Sequence, residues 1–108
     1  VVLGKKAALY FPGMRPGKWI TAGDISWDGK KIIVKSLQKV FYWQRKKNEP
    51  VWQALLRPVT ELPYLQEPQG ESICFNGKAN AYYTVSEGEN QPVYYYKISK
   101  KDLKRSQQ

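Results

Sequence analysis

The sequence predicts an all-β chain of antiparallel strands, on three observations. Short apolar, β-branched and aromatic runs alternate with turn residues, aromatic residues make up 14% of the chain, and one order of features occurs twice. At 108 residues the chain has the length of one domain or a piece of one, read here as a single β-rich segment over 1–108. Hydrophobic residues at 42% are too many for a disordered chain, and a chain this long buries enough surface for one modest core.

The elements follow in order. Ala7 to Phe11 is a short apolar run closed by Pro12-Gly13, and Met14 to Gly17 is loop chemistry. Trp19 to Ser26 reads as a strand with a break or bulge at Gly23, and Trp27-Asp28-Gly29-Lys30 as a tight hairpin turn. Lys31 to Lys35 is the return strand; its unbroken Ile32-Ile33-Val34 run suits burial on both faces. Lys39 to Gln44 is a strand of bulky residues, and Arg45 to Pro50 an exposed loop. Val51 to Leu56 carries apolar residues at helical spacing behind a proline, enough for one or two helical turns. Val59 to Leu62 is a fourth strand, and Gly70 to Phe75, Ala79 to Ser86 and Val93 to Ile98 are three more. The basic stretch 99–108 is expected as a frayed tail or a short exposed helix.

Gly23-Asp24-Ile25-Ser26-Trp27-Asp28-Gly29-Lys30 returns, one residue longer, as Gly70-Glu71-Ser72-Ile73-Cys74-Phe75-Asn76-Gly77-Lys78. From Gly23 to Gly70 the separation is 47 residues, and from Gly29 to Gly77 it is 48. An apolar strand, a polar turn and an aromatic strand follow in both copies, Val40 to Trp43 in one and Val93 to Tyr96 in the other. Repeats of roughly 40–50 residues with four short strands mark propeller blades. Counting blades gives about two, over 20–62 and 70–98, with Ala7 to Phe11 closing a preceding one. Asp24-Ile25-Ser26-Trp27-Asp28-Gly29-Lys30 also resembles the "DISPDGK" strand-turn of TolB-like β-propellers, with Trp27 in place of the usual proline. Pro68 to Ile73 and Thr84 to Tyr96 resemble blade segments of secreted or uncharacterised propeller proteins. The resemblance covers about residues 20–98 and implies architecture, with an extracellular setting admitted but the compartment undecided. Two blades cannot close a ring of roughly 4–8. Self-association, or a partner chain completing the propeller, is therefore expected. The chain opens on Val1, which points to a processed product or an excised fragment.

Composition narrows the chemistry. Without histidine the chain lacks the usual general base and zinc ligand, and its single cysteine forms no intrachain disulfide. No catalytic residue, cofactor or metal is expected, and no apolar run is long enough to span a membrane as a helix. Asp24 and Asp28, four apart around a turn, read as partners of local backbone amides rather than a calcium set. Glu87, Glu89 and Asn90 read as a solvated hairpin tip, and Cys74 as a small core residue. Ser36-Leu37-Gln38-Lys39 has Ser-x-x-Lys spacing but falls in a turn, and the Gly-Lys pairs lack the Ser or Thr of a phosphate loop. Tyr42, Trp43, Tyr94, Tyr95 and Tyr96 lie in strands, where packing accounts for them.

The net charge of +9 favours anionic partners. Arg45, Lys46 and Lys47, with Lys100, Lys101, Lys104 and Arg105 of the tail, are the candidate anion-binding residues. Three functions follow from the sequence. The first is a non-catalytic binding or assembly module built of propeller blades; the second is a basic module for nucleic acid or sulfated glycan. A third makes the chain a non-catalytic part of a propeller enzyme.

Overall fold

The computed structural model describes residues 20–107. The expected strand at Ala7 to Phe11 and the loop before Trp19 lie outside them. Seven strands form two antiparallel sheets in simple up-and-down order. The first sheet holds β1 (Ile20–Ile25), β2 (Lys31–Ser36), β3 (Val40–Gln44) and β4 (Thr60–Leu62). The second holds β5 (Ser72–Phe75), β6 (Ala81–Val85) and β7 (Val93–Lys97). A helical turn, α1 (Val51–Ala54), interrupts the β3 to β4 connection, and α2 (Lys100–Ser106) follows β7. The irregularity in β1 falls between Ile20 and Ala22, two residues before the expected Gly23.

The sheets pack face to face, and alternation along each strand decides what meets. Ile33, Val40, Tyr42 and Leu62 of the first sheet bury themselves against Ile73 and Tyr82 of the second. Phe75 meets Tyr42 edge to face at 6.5 Å, and Tyr82 stacks on Tyr96 at 5.1 Å. Each such side chain, fully buried, contributes roughly 1.5–3 kcal/mol, so this interface is the main stabilising element. The other face of the first sheet is covered in part by α1: Ile32, Phe41 and Trp43 pack with Ala54, Val51 and Leu55, while the β1 side of that face stays open at Ile25. Ile32 and Ile33 therefore point to different cores, which is why their run is apolar without alternation.

Polar contacts help fix the sheets relative to each other. Asp24 accepts from its neighbour Ile25 N and, across the interface, from Phe75 N at 2.9 Å. Lys31 donates to Ala79 O at 3.0 Å, tying the β1–β2 turn to the β5–β6 turn.

Those turns revise the repeat. Ser26 N donates to Lys31 O and Gly29 N to Ser26 O; Asn76 N donates to Ala81 O and Ala79 N to Asn76 O. Ser26 thus matches Asn76, a separation of 50, not the 48 that aligning the two Asp/Asn-Gly-Lys turns suggests. Gly29 takes the left-handed position in the first turn, and Ala79, not Gly77, takes it in the second (φ +75° and +53°). Neither turn is the two-residue hairpin the Asp-Gly pair suggests.

Of the two expectations for the basic tail, the short helix holds: α2 exposes Lys100, Lys101, Lys104 and Arg105 while its other side is packed. Ser99 caps α2 by accepting from Asp102 N, and the Asp102 carboxylate in turn accepts from Ser99 N. Leu103 packs on the core, and Gln44 donates to Leu103 O and Ser106 Oγ. Burial pushes the Asp102 carboxyl up, but hydrogen bonds from Ser99 and Arg105 outweigh it and hold it below its ordinary value.

Candidate binding surfaces

The strand order sorts charge by position. β1, β3, β5 and β7 all run toward one end of the sheets, where the two turns meet through Lys31 and α2 reaches β3 through Gln44. Lys30, Arg45, Lys46, Lys47, Lys78 and the cations of α2 belong to this end. At the opposite end the loop before β5 meets the loop after β6, where Gln69 N donates to Ser86 Oγ and Glu87 N to Gln69 O. Glu67, Glu71, Glu87 and Glu89 lie in those two loops. A chain of net charge +9 thus separates a basic end from an acidic one.

At the basic end the structure brings Lys30 of the first turn together with Arg45, Lys46 and Lys47 around a shallow depression of about 450 Å³. Arg45 is partly consumed: its guanidinium donates to Gly29 O at 3.1 Å and to Glu49 O, fastening the loop to the turn. Asp28 shares the depression, and its carboxyl accepts from Ser26 Oγ at 2.7 Å and Lys30 N at 3.0 Å. Those bonds, the Ser26 hydroxyl first, hold its pKa below the usual value. Among the described residues no carboxylate lies within ion-pair distance of Lys30, Lys46 or Lys47. The loop is not wholly exposed, because Glu49 turns inward to Arg57 (2.8 Å), whose hydrogen bond holds the Glu49 carboxyl low against the penalty of burial.

The α2 residues divide. Arg105 is tied to Asp102 and to Glu61 O, whereas Lys100, Lys101 and Lys104 are exposed. Arg45 and Lys46 share a second depression with Ser106 and Gln107, so the C-terminal end of α2 borders the loop cluster.

Other candidates resolve locally. Asp28 bonds its own turn, while Asp24 also reaches the second sheet. Ser36 is buried and accepts from Gln38 N and Lys39 N, and Lys39 pairs with Glu61 at 3.4 Å, so the Ser-x-x-Lys residues form a turn and no dyad. Among the described residues, no group of three carboxylates or thiols is placed to hold a metal ion. The Glu87 to Asn90 loop is exposed, with Gln91 donating to Glu89 O.

Cys74 is not a core residue but lies exposed on the outer face of the second sheet. Ile73 and Phe75 turn inward, so the pleat turns Cys74 out. There it lines an apolar groove of about 370 Å³ with Tyr83, Val85 and Val93. Val93 is 65%, Tyr95 50% and Tyr83 38% exposed, with the two tyrosine rings 5.3 Å apart. Tyr95 is therefore in a strand but not packed into a core.

The sequence also gave no warning of a buried polar cluster between the sheets. Lys35 is fully buried, donates to Ser36 O at 2.8 Å and to Gly70 O, and lies 4.4 Å from the Tyr64 ring centroid. Desolvation lowers its pKa, opposed by Glu67 and Glu71. Glu67 accepts from Thr84 through one oxygen, and its other oxygen has no hydrogen-bond partner among the described residues. A side chain at Gly70 would run into the ends of the Tyr64, Lys35 and Glu67 side chains, which would have to shift to admit it.

Compared with known proteins, the chain matches no family model, no curated protein and no solved structure.

Proposed function

We propose that the chain is a non-catalytic assembly module: two consecutive blades of a propeller-like array, whose open faces are covered by further sheets of the same repeat. One observation carries this reading. With Ser26 matched to Asn76, Ile33 matches Tyr83; their partners across the next strand are Tyr42 and Tyr95, and Val40 matches Val93. The positions that seat the second sheet on the first are thus repeated on the outer face of the second, where they are apolar and exposed. A monomer with this patch is open to association.

The complementary face is also present. Ile32 matches Tyr82, so the outer face of the first sheet corresponds to the inner face of the second. It keeps an open groove of about 400 Å³ bordered by Ile25, Ile32 and Val34, with α1 to one side. Joining one face to the other between copies is a heterologous contact, which closes into a ring or runs on as a filament. At two sheets per copy, a ring of about 4–8 blades takes two to four copies.

Cys74 reports on this contact directly. Its reaction with a soluble thiol reagent should slow as chain concentration rises, and Tyr95→Lys should restore the fast rate. A rate that is independent of concentration, and equal in Tyr95→Lys, rejects the reading.

A further inference from the structure

Trp27 is 97% exposed, at the tip of the β1–β2 turn and directly before Asp28 of the basic depression. The turn that carries this exposed indole is not loose. Ser26 donates to Asp28, Lys30 N donates to Asp28, Gly29 N donates to Ser26 O, and Arg45 anchors Gly29 O from the neighbouring loop. The backbone on either side of the indole is therefore fixed, in the same turn whose Asp28, Gly29 and Lys30 line the depression with Lys46 and Lys47.

We propose that this end of the molecule binds single-stranded nucleic acid, with a base stacked on Trp27 and the adjoining phosphates on Lys30, Lys46 and Lys47. Ammonium groups without carboxylate partners attract any polyanion, and Coulomb attraction alone does not choose among them. The indole favours a base, which stacks a whole π face on it, over a sulfated sugar, which offers only the C–H edge of a ring crowded with charge. Charge segregation strengthens the site, since Glu67, Glu71, Glu87 and Glu89 stand at the far end and leave the field here positive. The one acid in the depression, Asp28, is engaged by hydrogen bonds from its own turn. Arg45 acts as a positioning residue, holding loop to turn. The site lies at the strand ends, edge-on to the faces that the assembly reading covers, and stands independently of that reading.

The test is titration of the whole chain into a labelled oligothymidylate, followed by anisotropy across a salt series, with tryptophan fluorescence read in parallel. Three phosphate contacts predict a log–log salt slope of about −2 on a single strand. Trp27→Ala should weaken binding roughly 5- to 100-fold and remove most of the fluorescence quenching, while Trp27→Phe retains part of the affinity. Lys46→Ala should lower the slope by about 0.7. Because Trp27 is almost wholly solvent-exposed, its variants should keep the parent's circular dichroism spectrum and melting temperature. Absence of binding at low salt overturns the proposal. So does oligothymidylate binding that Trp27→Ala leaves unchanged, or heparin binding as tightly as oligothymidylate with the same indifference to Trp27; either result reduces the site to unselective charge attraction.

Discussion

Ile33, Val40 and Tyr42 in the first sheet and Tyr83, Val93 and Tyr95 in the second hold the same register positions, yet the first three are 0% exposed and the others 38–65%. The chemistry on the two faces is alike; what differs is that the first has a sheet lying on it. Apolar side chains left in water at the positions that carry a sheet in the first repeat are what the proposed assembly rests on. Lys35 sharpens the contrast. It is buried where the second sheet has Val85, and it is tolerated because Gly70 O, Ser36 O and the nearby Glu67 receive it.

Truncation should separate the two faces most clearly. Tyr42→Ala removes a buried ring from the inter-sheet core and should cost about 3–4 kcal/mol in chemical denaturation. Tyr95→Ala, at the matching position, should change the stability of the monomer by no more than about 0.5 kcal/mol. Equal losses at both positions would break the comparison.

Lys35→Met comes next. It leaves the buried Gly70 O and Ser36 O without their ammonium donor, and unfolding should become easier by about 3 kcal/mol. Val85→Met, the matching change in the second sheet, is expected to be nearly neutral.

Glu49→Gln tests how the basic loop is held, and calorimetry across pH reads it. The Glu49 and Asp102 carboxyls both lie below their ordinary values, so the folded state binds fewer protons than the unfolded one. Their stabilisation is complete above the ordinary Glu value of 4.5 and is lost as pH falls through the folded pKa values. Glu49→Gln should lose about 2 kcal/mol near neutrality and show a shallower decline in acid than the parent.

The smallest effect concerns the turns. Gly29→Ala places a side chain at positive φ against the Arg45 guanidinium and should cost about 1 kcal/mol, visible as a lower melting temperature. Ala79 already bears that conformation in the second turn.

Much of this fold was legible in the residues because strands and turns are local. The Ile32 to Val34 run, the aromatic strands and the helical turn after Pro50 all formed close to where side-chain pattern places them. Turn register was misread because Asn76-Gly77 looks like the turn centre, whereas Asn76 accepts hydrogen bonds from Asn80 N and Ala81 N and moves the left-handed position to Ala79. The outward turn of Cys74 was available in the alternation of Ile73 and Phe75, had a single buried face been assumed. Ser99 and Asp102 likewise carry a capping pattern that distinguishes a packed helix from a frayed tail. Other features had no local signal. The pairing of Glu49 with Arg57, the burial of Lys35, and the meeting of Lys30 with the Arg45 to Lys47 loop depend on which elements the sheets bring together.

If another sheet belongs on the outer face of the second one, native mass by light scattering shows it. The parent chain should have two or more times the mass of 12.5 kDa, and Tyr95→Lys should return it to 12.5 kDa. A parent chain that stays at 12.5 kDa at every concentration would contradict it.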